Sequence, residues 1–402
     1  MQNLLLWGRQ NKDAISTALI ALAYLSLAVV SSFPAFLTFD VSFPAILFFV
    51  LFLCAGALVG LDRHNIRVHI VLLALFLRLF LFCLNACFLK VKFETVFEEI
   101  AVTFLAALVF LTAYNKEIRI KAVLTPFLLL TDLQIFYAFA ASGFSPGKTL
   151  IVAGIGRSNY IAAFLLLFIC IFLFSRKNLF DILLIGLSVV AFLLTQSFAG
   201  YLALGLVLIL WVLVSVKWRS LKSVLIFLAV LLIVSLLVAF FLTTKFGQPI
   251  FEKIRQKLAY LAEGNITAFS SYRDAIARFS LGNIRRNPVF GSILNIDPTR
   301  PEKYRWQGFR THNFALESLL LYGIVGSLLN LFILYFLIRS FRCKKNLPYL
   351  MAFLGALAHG FFEPNFFTLH FELFVWLMIG ISLRNADCPG GCRLFGKKQR
   401  KE

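Results

Sequence analysis

The sequence predicts an all-α, polytopic membrane protein with about 12 transmembrane helices and one long extracytoplasmic loop containing short helices. Three observations predict it. The 402 residues are 60% hydrophobic and only 14% charged, where soluble domains run at about 45–50% apolar and about 25% charged. Apolar runs of spanning length follow one another almost end to end. Basic residues are also divided very unevenly between alternate connections. This composition excludes a water-soluble enzyme, a disordered chain and a nucleic-acid-binding domain.

Reading apolar runs between polar breaks gives the spans in order: Ala14–Phe33, Phe43–Leu61, Ile66–Leu89, Val96–Tyr114, Ile120–Ala141 and Asn159–Phe174. The second half adds Leu179–Thr195, Ala199–Val216, Ser223–Leu242, Asn313–Ile338, Leu347–Phe362 and Phe366–Leu383. Trp7, Arg9 and Lys12 precede the first span without a small-residue cleavage site, so that segment is expected to be a retained helix. Residues 1–402 read as a single integral membrane domain, with 243–312 as the long loop and 384–402 as a basic cytoplasmic tail.

Orientation follows from the basic residues. One set of connections and termini holds 22 Lys and Arg, while the opposite short loops hold only Lys90, Lys92, Lys148 and Arg157. The rule that basic residues stay inside then puts both termini in the cytoplasm and the long loop outside. The same rule accounts for the net charge of +20 without nucleic acid as a partner. Cys54, Cys83, Cys87 and Cys170 fall in apolar segments as small hydrophobes. Cys388 and Cys392 in the tail lack the companions that a zinc site needs.

A loop this long on an otherwise economical bundle is where function is expected. Ile250, Ile254, Leu258 and Leu261 recur at helical spacing and predict an amphipathic helix at the membrane surface. Ser271 and Asp274 resemble a capping box, which places Arg273 in the first turn of the next helix, where a cation opposes the dipole. Asn287-Pro288 ends that helix and Gly291 follows the turn. The loop holds twelve basic residues against five acidic ones, Arg278 and Arg310 among the twelve. Guanidinium groups grip phosphate through paired hydrogen bonds, so this surface suits an anionic headgroup.

His312 closes the loop just before a span, and an imidazole is suited to act as a base or acid near neutral pH. Asn313 and Glu317 lie four apart on one helix face, and a carboxylate at that depth is costly to keep without a purpose. Glu317 is therefore a candidate to orient the site, or else a hydrogen-bond partner within the bundle. Arg78 and Asp132 sit deep in separate spans and are expected to pair with each other. His359 and Glu363 share a face near the outer end of the eleventh span, open to a role in an acceptor groove or to hydrogen bonds with Asn365 and the Pro364 turn.

In this order the motifs resemble those of the O-antigen ligase and O-antigen polymerase family of bacterial membrane glycosyltransferases. The resemblance rests on Ser271, Arg273, Asn287, Pro288 and Gly291, then on His312, Asn313, Gly323 and Gly326. Upstream, Leu194-Thr195-Gln196-Ser197 and Arg157-Ser158-Asn159-Tyr160-Ile161-Ala162 belong to it as well. It covers about Arg157 to Leu337.

What it implies is an enzyme of the cytoplasmic membrane that needs no cofactor or metal. Its donor would be a glycan on undecaprenyl pyrophosphate, and its acceptor a growing glycan or a lipid A core. Membrane lipids and other polysaccharide-assembly proteins would be its partners. By position, Arg273 would hold the pyrophosphate and His312 would activate the acceptor hydroxyl. Arg157, Arg278, Arg310, Asn313 and Glu317 would line the substrate. The family has an arginine directly after Thr-x-Ser, where this chain has Phe198; that departure leans from ligase toward polymerase. The outer loops carry no Asp-x-Asp arrangement of the kind that holds a metal and a nucleotide sugar. Two alternatives share the topology, a lipid-linked oligosaccharide flippase and a peptidoglycan polymerase of the rod-shape and division family. A flippase tends to show related halves and a cationic cavity in the bundle. The peptidoglycan polymerase relies on a loop aspartate.

Overall fold

The computed structural model describes residues 11–29, 66–144, 151–175, 178–215, 225, 228, 243–244, 247–270, 273–293, 311–341, 343–363, 366 and 368–387. Among them the chain is predominantly helical. The helices are α1 (Lys12–Val29), α2 (Ile66–Phe88), α3 (Phe93–Asn115), α4 (Ile120–Ala141), α5 (Ser158–Phe174), α6 (Leu179–Leu194) and α7 (Phe198–Ser215). After them come α8 (Gln248–Ala262), α9 (Ile266–Ser270), α10 (Arg273–Arg286), α11 (Phe314–Ser340), α12 (Leu347–Gly360) and α13 (Leu369–Asp387). Helices α1 to α4 and α11 are long and apolar enough to cross a membrane, and α5, α6, α7 and α12 are shorter apolar helices. The span expected at Phe43–Leu61 lies outside the described residues, as does nearly all of Ser223–Leu242.

One short element departs from an all-α reading. Val152–Ala153 (β1) pairs antiparallel with Gly156–Arg157 (β2). The hairpin is held by Gln134 of α4, which accepts from the Gly154 backbone N–H at 2.9 Å and donates to the Ala28 carbonyl at 3.3 Å. It delivers the chain to the start of α5.

Helix α5 is apolar on every face, and a helix of that kind belongs inside a bundle. Every residue from Ile161 to Phe172 is buried. Phe164 and Phe168 join Phe127, Phe371 and Phe374 in edge-on ring contacts with centroids 5.2–5.5 Å apart. In lipid, where burial of apolar surface drives little, such close packing supplies the cohesion between helices.

The expected Arg78–Asp132 pair does not form. Arg78 Nη2 meets Glu372 at 3.2 Å and Glu99 at 3.4 Å, and Nη1 donates to Asn330 at 3.1 Å. Its guanidinium also lies 4.7 Å from the Tyr322 ring centre. Asp132 instead accepts from the Ser188 hydroxyl at 2.8 Å. A buried guanidinium needs several partners, and α3, α11 and α13 together supply them where α4 offers a single carboxylate.

Helix α11 breaks at Gly323, whose φ is +62°. The chain after Pro288 fills the break. Ile324 N–H donates to the Pro288 carbonyl at 2.9 Å and Val325 N–H to the Val289 carbonyl at 3.1 Å. In return, the Ser292 and Ile293 N–H groups donate to the Leu320 carbonyl, both at 2.8 Å. A Cβ on Gly323 would stand 2.3 Å from the Val289 oxygen, and one on Gly291 2.6 Å from the Leu320 oxygen. Only glycine allows two backbones this close, at a φ that other residues rarely adopt. The splice fixes α10 against α11.

Candidate active site

Five segments meet at one end of the bundle. Asn159 comes from the first turn of α5 and Ser197 from the α6–α7 corner. Arg273 begins α10, His312 precedes α11, and Glu363 follows α12. The Glu363 side chain is only 4% exposed, and its two oxygens are divided between these partners. Oε1 takes Arg273 Nη2 at 2.5 Å and also the Asn159 amide. Oε2 takes His312 Nδ1 at 2.9 Å. Asn159 is held in turn by Ser197, whose hydroxyl donates to its Oδ1 at 3.0 Å.

An ionised carboxylate only accepts hydrogen bonds. His312 Nδ1 therefore donates in this contact, and in the neutral imidazole Nε2 is the nitrogen that holds the lone pair. Burial pushes the Glu363 carboxyl up, but the hydrogen bond from His312 and the neighbouring Arg273, His312 and His359 outweigh it and hold the group below the usual carboxylate range. His359 is buried one turn back on α12, on the same face.

The backbone here is strained. His312 adopts φ +53° and Gln196 +51°. Such conformations in residues other than glycine cost on the order of 1–3 kcal/mol each and persist where the surroundings impose them. Around His312 the restraints are visible. Glu317 is buried and its carboxylate accepts from the Thr311 N–H at 2.8 Å, and the Thr311 hydroxyl donates to the Asn313 carbonyl at 2.7 Å. Asn313 is the N-cap of α11, its side chain accepting from the N–H groups of Ala315 and Leu316 at 3.0 and 3.1 Å. Asn313 and Glu317 thus fold the chain around His312; among the described residues no hydrogen bond joins their side chains.

The other expected site residues divide. Arg273 and His312 share Glu363. Arg157 is exposed at the N-terminus of α5, two residues before Asn159, and its guanidinium is without a partner among the described residues. Arg278 is 73% exposed and binds Asp274 at 2.7 Å, away from Glu363. Arg310 and Ser271 lie outside the described residues. The Asp274 carboxylate collects the hydroxyls of Ser270 at 2.7 Å and Thr267 at 2.9 Å, and hydrogen bonds from these together with the Arg278 charge hold it below its usual range. Phe198, in the place of the family arginine, begins α7 and is exposed.

A cavity of about 340 Å³ begins at Phe314, two residues past His312, and runs between α11, α12 and α13. Its wall is almost wholly apolar, with Leu319, Leu334, Phe353 and Val375 along it. Arg78, Asn330 and Glu372 form a polar spot partway down.

Against known proteins, residues 183–331 match the family model described as O-antigen ligase. Over this stretch the chain is similar to the O-antigen ligase family. Members of that family are enzymes acting on polysaccharides. The matched O-antigen ligase segment contains Ser197, Arg273 and His312, while Asn159 and Glu363 lie to either side of it. No curated protein matches the chain.

Glu363 is the residue whose importance the sequence did not show. Its only signal was the i, i+4 relation to His359, which says nothing about Arg273 or His312.

Proposed function

We propose that this protein transfers a glycan from a polyprenyl pyrophosphate, of the undecaprenyl type, to a sugar hydroxyl on the outer face of the cytoplasmic membrane. Arg273 binds the pyrophosphate, with Arg157 and Arg310, each two residues before a site residue in the sequence, as further cations. His312 Nε2 takes the proton of the acceptor hydroxyl as its oxygen attacks the anomeric carbon. The bond from that carbon to the phosphate oxygen breaks, and its electron pair leaves with the pyrophosphate. Fixed cations aimed at developing charge are well suited to this step, and a general base contributes typically 10²–10⁴-fold.

The observation that carries this reading is the meeting of Arg273 and His312 on one carboxylate, at one end of the bundle, beside an apolar cavity. The cavity suits the hydrocarbon part of a lipid-linked donor. The uneven distribution of basic residues supports the outer location of the site. Among the described residues, Arg78, a buried cation deep in the bundle, is engaged by Glu372 and Glu99, an arrangement that favours a structural role over the cationic passage of a flippase. The arginine missing at Phe198 favours polymerisation over ligation to a lipid core.

The test is glycan transfer by purified protein with a lipid-linked donor extracted from the source membranes. His312→Ala and Arg273→Ala should each reduce product by about 10²-fold or more, with membrane insertion unchanged. Wild-type yield from both variants overturns the mechanism. Activity should persist in EDTA; complete loss restored by Mg²⁺ would point to a different chemistry.

A further inference from the structure

We propose that Glu363 is a positioning residue for transfer, setting the tautomer of His312 and holding Arg273 beside it. This rests on the reading of His312 as the base. The two carboxylate oxygens of Glu363 are committed to different partners. Oε1 accepts from two donors, the Arg273 guanidinium and the Asn159 amide. Asn159 cannot turn over freely, because its own oxygen is fixed by the Ser197 hydroxyl. Oε2 is left for His312, and Nδ1 is the donor. The imidazole is thereby locked with its basic nitrogen, Nε2, directed away from Glu363. A carboxylate that orients a catalytic imidazole in this way is a recurring device of general-base sites.

The same carboxylate meets Arg273 through a single guanidinium nitrogen, Nη2. The Arg273 side chain is 28% exposed, and a guanidinium has five donors, so donors remain for an anionic oxygen while the group stays anchored. One buried side chain thus sets the spacing between the anion-binding group and the base. The charged and titratable groups that face it are Arg273 from α10, His312 from the segment before α11 and His359 from α12, with the neutral Asn159 from α5.

Glu363→Gln makes a specific test, because the isosteric amide has one oxygen and one NH₂. Two donors already converge on the Oε1 position, so the amide oxygen belongs there and the NH₂ faces His312. Nδ1 must then accept, and the proton moves to Nε2, where it blocks attack. We expect turnover of Glu363→Gln to fall by about 10²–10⁴-fold, by analogy with the wrong-tautomer effect in hydrolase triads. Undecaprenyl pyrophosphate alone, used as the binding probe, should raise the unfolding temperature of variant and wild type to within a few degrees of each other. Nitrogen NMR of histidine-labelled protein should show the His312 proton on Nδ1 in the wild type and on Nε2 in Glu363→Gln. In the His312→Ala background, Glu363→Gln should cause no further loss, as expected of groups that act as a unit. Glu363→Asp should restore part of the turnover. Full activity of Glu363→Gln, or an unchanged tautomer, overturns the proposal for Glu363 while leaving the base assignment standing if His312→Ala is inactive. An active His312→Ala overturns both.

Discussion

At the end of the bundle remote from His312, ion pairs join helix ends. Lys121 at the start of α4 faces Asp181 at the start of α6 at 2.6 Å, and Arg67 at the start of α2 faces Asp387 at the end of α13 at 2.7 Å. Asp181 also completes a capping box with Asn178. Each contact joins two helix ends, and Asp387 also accepts from the Tyr114 hydroxyl at 2.9 Å. At the His312 end, a single buried carboxylate serves an arginine, a histidine and an asparagine from three different segments, and the backbone around it is strained at His312 and Gln196. Pairs of the first kind fasten helices. A shared carboxylate amid strain concentrates constraint on a few atoms, which is the pattern expected where chemistry is done.

The comparison breaks if changes at the two ends have similar effects. The largest effect should come from Gly323→Ala. The added methyl meets the Val289 carbonyl at 2.3 Å on a backbone with φ +62°, so α10 can no longer lie against α11. We expect a loss of roughly 2–4 kcal/mol in stability together with loss of transfer, checked by thermal unfolding in detergent and by product yield. Arg273→Ala should follow, costing up to about 3 kcal/mol because Glu363 loses a cation while buried. Arg273→Lys should recover stability better than activity, since a lysine restores the charge without the planar fork.

Acid provides the next test. The Glu363 carboxyl lies below its ordinary range in the folded protein. Its stabilising contribution is therefore complete above the unfolded value, about 4.3, and is lost as pH falls through the depressed folded value. Unfolding temperature should drop through that acidic window in the wild type, and less steeply in Glu363→Gln. The smallest effect belongs to the remote end. Lys121→Ala should cost about 0.2–1 kcal/mol and leave transfer unchanged; an inactive Lys121→Ala would erase the distinction between the two ends.

Much of the architecture was legible from hydropathy. The span expected over Ile120–Ala141 is α4 with the same limits, and α2, α5 and α6 begin and end within a residue or so of expectation. Apolar runs reveal helices because a chain in lipid must satisfy its own backbone. Arg273 and His312 stood out as candidates because each lies at a helix boundary in an unusual chemical setting. The partners were not. Arg78 was matched to Asp132 by depth alone, whereas Glu99 and Glu372 reach it from segments whose proximity no periodicity encodes. Asn313 offered a signal that favours capping, since an asparagine directly before an apolar helix is a common N-cap. Nothing local in the sequence distinguished Glu363, because its role arises from three segments that are brought together only by folding.

The position of Glu363 has a consequence for protein engineering. The family-matched stretch ends at residue 331 and starts at 183, so a chimera that grafted only this cassette onto another scaffold would carry the imidazole and the guanidinium but leave behind the acid and the amide that aim them. Exchanging specificity between relatives by swapping that stretch would succeed only where the recipient supplies its own equivalents of Glu363 and Asn159 in register.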